Sequence, residues 1–128
     1  MKTLLICIAL LICSLDLAFA QSERLQSGDS IRIALERTTL SKELTQLRDS
    51  INQSLKIFDS RIKKARAPKR VQLENARREL IEYQKRIKLD LEETSVTGQN
   101  AWREESVKRI QANTIATRRE YKRIRTLL

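Results

Sequence analysis

The chain contains no histidine, and its two cysteines, Cys7 and Cys13, both fall within the first thirteen residues. One proline, two glycines and one tryptophan are spread over 128 residues. Each shortage removes a class of chemistry. Without histidine, no side chain has an ordinary pKa suited to general-base work near neutral pH. Beyond Cys13 there is no thiol nucleophile, no thiolate metal ligand and no disulfide. There is no glycine-rich phosphate loop, and no serine sits in a motif that would place a base beside it. Glu92-Glu93 and Glu104-Glu105 offer oxygen ligands for a divalent cation, but adjacent residues on a helix diverge in direction. These absences predict a protein that is not an enzyme, with no catalytic or metal-ligating residue, no cofactor and no small-molecule substrate.

The scarcity of helix breakers leaves long stretches open to regular structure, and the first is a special case. Residues 1–20 read MKTLLICIALLICSLDLAFA. Lys2 provides a short basic start, Leu4 to Ile12 is continuously apolar, and Ala18-Phe19-Ala20 puts small residues where a signal peptidase reads. This is the pattern of a secretory signal peptide, with cleavage expected before Gln21. The apolar run is about half of the ~20 residues a membrane crossing needs, and Asp16 interrupts its continuation. Bulky Ile12 before Cys13 argues against a lipid-attached cysteine. The expectation is export, and no later stretch is apolar enough to span a bilayer.

After Gln21, charge outweighs apolar content, and the apolar residues recur at helical spacing. Residues 21–39 form an N-terminal segment, flexible or a short helix, in which Ile31 to Leu35 follows Gly28-Asp29-Ser30. Residues 40–128 predict a three-helix domain, with helices over about 40–66, 68–93 and 100–127. In the first, Leu40, Leu44, Leu47, Ile51, Leu55, Phe58, Ile62 and Ala65 alternate steps of three and four. The Leu40–Ile51–Ile62 interval is an eleven-residue repeat, suited to nearly straight helices. The second shows Leu73, Ala76, Leu80, Tyr83, Ile87 and Leu91. The third runs Val107, Ile110, Thr114, Thr117, Tyr121, Ile124 and Leu128, with threonine at two core positions. The spacer TSVTGQN holds Gly98, and Thr97 or Asn100 is available to cap the helix that Trp102 begins. Trp102 either anchors that helix against its neighbours or presents an aromatic contact to a partner. Pro68 suits a helix start after a turn. The apolar phase also carries across it from Ala65 to Leu73, so a single kinked helix, partnered by another chain, is the alternative. The reading is all-α, an elongated up-down-up three-helix bundle or coiled-coil hairpin, as a monomer or a homodimer.

The net charge of +10 is concentrated in the second half of the chain. Residues 61–70, RIKKARAPKR, carry six basic side chains and no acid. Arg118, Arg119, Lys122, Arg123 and Arg125 surround Glu120. An up-down-up bundle brings the end of the first helix, the start of the second and the end of the third to one pole. The candidate anion-binding pole is therefore Arg61, Lys63, Lys64, Arg66, Lys69, Arg70, Arg77, Arg78, Arg118, Arg119, Lys122, Arg123 and Arg125. Glu92, Glu93, Glu104 and Glu105 gather at the other end. The expected partner is an anionic membrane surface or an acidic protein. Nucleic acid is not expected. The chain has no recognisable binding motif or row of aromatic platforms, and export removes it from the genome.

Three segments, LTQLRDSINQSLKIFDSRIKKA, ARRELIEYQKRIKLDLEE and NAWREESVKRI, follow a signal peptide here. With it they resemble a group of small exported coiled-coil proteins of Gram-negative bacteria, over roughly Leu40 to Leu128. The resemblance implies a periplasmic three-helix bundle with no established activity. The third helix departs from it, being basic where that group is often acidic. The functional expectation is a non-enzymatic periplasmic interaction protein. The alternatives are a small holdase-type chaperone, although the LTxxQ motif of one such family is absent at Leu44-Thr45-Gln46-Leu47, or a structural spacer with no ligand.

Overall fold

The computed structural model describes residues 2–95 and 104–128, with side chains from Gly28 onward. These residues form three α-helices and no strand: α1 (Lys2–Lys64), α2 (Lys69–Ser95) and α3 (Glu104–Arg125). The chain is all-α, the class its apolar spacing indicates. Thr97, Gly98, Asn100 and Trp102, to which the sequence assigns a turn, a cap and an anchor, lie outside the described residues.

Two compact units divide the chain, Met1–Glu36 and Arg37–Leu128. In the first, Arg32 reaches Asp29 at 3.5 Å and Glu36 at 3.2 Å, pairs one turn apart on the helix surface. Ile31 and Leu35 are exposed.

The second unit is a helical bundle whose core draws on all three helices. Leu44, Ile51 and Phe58 of α1, Leu80 and Ile87 of α2, and Ile110 and Ile124 of α3 are fully or almost fully buried. Leu55, Ile62, Ala65, Tyr83, Leu91 and Tyr121 pack against them partly buried. Side-chain bonds fix the directions. Arg77 pairs with Asp59 and Gln84 with Asn52, so α2 runs antiparallel to α1. Arg109 pairs with Glu93 and Arg123 with Glu79, so α3 runs antiparallel to α2.

The reversal between α1 and α2 occupies residues 65–68. Ala65 N–H donates to Arg61 O at 2.9 Å and closes the last turn of α1. Arg70 N–H donates to Arg66 O at 2.9 Å, and Gln72 N–H to Pro68 O at 3.3 Å. Pro68 thus stands at the N-cap of α2, where its missing N–H leaves no helical bond unmade. The Ala67–Pro68 peptide is cis. Proline therefore marks a hairpin here, and the apolar phase that continues across it reflects two antiparallel helices burying the same face.

Among the described residues, five buried polar positions interrupt the aliphatic core. Ser54 is 4% exposed and shares a hydrogen bond of 2.9 Å with the Tyr121 hydroxyl, which also donates to Ser50 O at 3.2 Å. Asp90 and Thr94 are equally buried on α2. On α3, the Thr114 hydroxyl donates to Ile110 O at 2.7 Å. The hydroxyl of Thr117, buried to the same degree, makes no hydrogen bond among the described residues.

Candidate functional site

The cations of the sequence-derived pole come from three helix ends that differ electrostatically. Arg61, Lys63 and Lys64 occupy the last turn of α1, and Lys122, Arg123 and Arg125 the last turn of α3. Both groups complement the negative end of a helix dipole. Lys69 and Arg70 stand at the start of α2, where the dipole opposes them. There Arg70 is offset by Glu74 at 3.0 Å, and Lys69 donates to the Gln72 amide oxygen at 3.2 Å.

The bundle register decides how far these groups converge. Tyr121 lies against Ser50 and Ser54, and Arg123 reaches Glu79, so the end of α3 stops short of the hairpin tip at residues 65–68. Arg118 pairs with Glu43 at 3.2 Å, and Glu43 is about 30 Å along α1 from that tip at 1.5 Å per residue. The hairpin gathers Arg61, Lys63, Lys64, Arg66, Lys69 and Arg70. The α3 cations form a second group along the flank of the bundle rather than a continuation of the tip.

Neutralisation sorts the thirteen further. Arg70 pairs with Glu74, Arg77 with Asp59, Arg118 with Glu43, Arg119 with Glu120, and Arg123 with both Glu79 and Glu120. Arg61, Lys63, Lys64, Arg66, Lys69, Arg78, Lys122 and Arg125 make no ion pair among the described residues. The arginine excess that faces α2 is therefore largely matched by acids. Apart from Arg78 on α2, the unmatched charge lies at the tip and at the end of α3.

Two open hollows border α1, one against α3 and one lined by α1 alone. One, of 320 Å³, runs between α1 and α3 and is lined by Gln46, Leu47, Ser50, Tyr121, Lys122 and Arg125, with the Glu43–Arg118 pair at its end. The other, of 430 Å³, continues along α1 and is lined by Gln53, Lys56, Ile57, Ser60, Arg61 and Lys64. Ile57 is 39% exposed there. Lys56 and Ile57 are absent from the sequence-derived set because they precede the basic run. The available signal was the Lys56–Ser60–Lys64 interval, four residues per step, which places all three on one helix face.

At the α2–α3 interface is a second polar cluster. The carboxylate of Asp90 is almost fully buried, with Arg109 Nη1 at 3.5 Å and Asn113 Nδ2 at 3.4 Å. These long contacts do not repay its desolvation, and burial pushes the Asp90 carboxyl above its usual range despite Asn113 and Arg109. Glu93 behaves oppositely, because its direct hydrogen bond from Arg109 holds its carboxyl below the ordinary value. Among the described residues no group of three or more acidic, histidine or cysteine side chains could hold a metal ion. Among the same residues no helix is long and apolar enough to cross a membrane.

No family model, curated protein or solved structure matches this chain.

Proposed function

We propose that this chain is a non-enzymatic, exported helical interaction protein that binds an anionic envelope surface or an acidic partner. In this reading residues 1–20 are a cleaved signal peptide, and the helices after it form a periplasmic up-down-up bundle like that of the small exported proteins it resembles. One observation carries the proposal. Eight cations of the basic set have no acidic partner among the described residues, while Arg70, Arg77, Arg118, Arg119 and Arg123 are paired. Like charges held together raise the energy of the unbound state and are relieved by an incoming anion.

The test is retention of the protein by anionic probes as salt rises. Sedimentation with vesicles rich in phosphatidylglycerol, and binding to polyglutamate, are compared with neutral vesicles and a neutral polymer. The proposal expects at least one anionic probe to bind, with affinity falling steeply between low and physiological salt. It fails if neither anionic probe is preferred over its neutral counterpart.

A further inference from the structure

The two hollows share a flank of α1, one of them also bordered by α3, and together they form a track with a direction. Of their α1 lining, Glu43, Gln46, Ser50, Gln53, Ile57, Ser60 and Lys64 follow steps of three and four residues that hold one flank of the helix. The span from Glu43 to Lys64 is about 30 Å at 1.5 Å per residue. Unpaired cations stand along it from both helices, Lys56, Arg61 and Lys64 on α1 and Lys122 and Arg125 on α3. Between them the floor is uncharged: Leu47, Ile57, Gln53, Ser50, Ser60 and the Tyr121 ring.

We infer that this track docks an acidic amphipathic polypeptide segment, a deepening that rests on the anionic-partner reading above. Charge complementarity sets the sign of the partner, and the lining sets its shape. A lipid headgroup is a compact charge, and a bilayer is a plane that would meet only the rim of a hollow. An acidic helix of about five turns matches the length of the track, because its own carboxylates repeat at the same three- and four-residue steps. Apolar side chains would rest on Ile57 and the Tyr121 ring, and the amides of Gln46 and Gln53 bond the flanks. Glu43 is the sole acid in the track, and it occupies Arg118 in a pair that an incoming carboxylate would replace.

That last contact makes the proposal testable in both directions. The probe is a fluorescent peptide of about twenty residues whose docked helical face carries a leucine stripe flanked by glutamates, titrated with the purified protein. A triple variant Lys56→Gln, Lys122→Gln, Arg125→Gln is expected to weaken binding by about tenfold or more. Glu43→Gln, which frees Arg118, is expected to tighten it severalfold, and Ile57→Ser to weaken it severalfold. A control variant Lys85→Gln, Lys88→Gln, Lys108→Gln, which removes the same charge from exposed lysines of α2 and α3 outside both hollows, should change it by less than about twofold at physiological salt. All these side chains are at least partly exposed, and an unchanged far-ultraviolet spectrum and melting midpoint verify folding in each variant. The inference is overturned if the track triple binds normally, if the control variant loses as much, or if Glu43→Gln weakens binding. Binding to anionic vesicles with none to the peptide also overturns it while leaving the broader reading intact. Salt-sensitive binding to no anionic probe overturns both.

Discussion

Asp90 and Thr117 show how a buried polar atom acts on stability when its bonds are incomplete. Asp90 has its carboxyl raised by burial, so between the unfolded and folded values the native state holds the proton more tightly. Stability from this group is therefore greatest below the unfolded value of about 4 and falls as pH rises through the folded one. Asp90→Asn keeps the neutral shape and should raise the melting midpoint at pH 7 by a few degrees, a gain that shrinks toward pH 3. Melting curves across that range test the sign, and a gain that grows at low pH would refute it. Thr117 hides a hydroxyl that has no partner among the described residues. Thr117→Val preserves its volume and should stabilise the protein by about 1 kcal/mol in urea unfolding. The sequence marks both threonines as core positions from spacing alone, and they are buried. Ser54 and Asp90 escape that reading because apolar spacing registers only apolar residues, although Ser54 lies three residues after Ile51 and four before Phe58.

At the scale of elements, α3 differs from the α1–α2 hairpin in what fills its inner face. α1 buries Leu40, Leu44, Leu47, Ile51 and Phe58, and α2 buries Leu73, Leu80 and Ile87. Over the corresponding length α3 offers Thr114 and Thr117 between Ile110 and Ile124, so it removes less apolar surface from water per turn. Amides near the middle of α3 should therefore exchange faster than those around Ile51 and Leu80, as hydrogen exchange followed residue by residue would show. Uniform protection across the three helices would contradict this. Tyr121→Phe removes the bond to Ser54 and should cost about 1–2 kcal/mol, because the serine hydroxyl stays buried without a partner. The helical class is legible in the sequence from its apolar spacing. Pro68 marks a break there, because a breaker is a local signal, but turn and kink look alike along the chain. Where α3 stops relative to the hairpin is not legible, because the register depends on contacts such as Arg123 with Glu79, which join residues far apart in the chain. The single pole inferred from charge thus becomes a tip and a flank.

For the whole molecule the relevant quantity is the balance between a net charge of +10 and the acids that temper it. Glu93 and Glu120 are held below the ordinary carboxylate range by hydrogen bonds from Arg109 and Arg123. A carboxyl depressed in the folded state contributes stability that is present above its unfolded value and is lost as pH falls through the folded one. Protonation of Glu93 and Glu120 leaves Arg109, Arg119 and Arg123 of α3 without that relief. The urea midpoint should fall steeply below about pH 4, outweighing the opposite effect of Asp90, and added salt should restore part of it by screening. A midpoint indifferent to salt at pH 3 would show that repulsion between cations is not what opens the bundle. The same distribution explains why composition alone indicated an anionic partner without giving its shape: charge is additive along a sequence, whereas grooves are made by pairs of helices.

The Tyr121 hydroxyl, poised between Ser54 and the Ser50 carbonyl, also bears on which alignment of α1 with α3 the chain chooses. Leucine and threonine rows interlock almost equally well after a slip of one turn, so hydrophobic packing by itself is a poor ruler. A slip of one turn toward the hairpin would carry the phenol from Ser54 to Phe58, where no side-chain hydroxyl waits, at a cost of about 1–3 kcal/mol for the stranded groups. Ser54 and Tyr121 thus act as a key and keyway. They contribute little to how strongly the helices adhere, and much to whether Lys122 and Arg125 come to rest opposite the flank of α1 that carries Ile57 and Lys64.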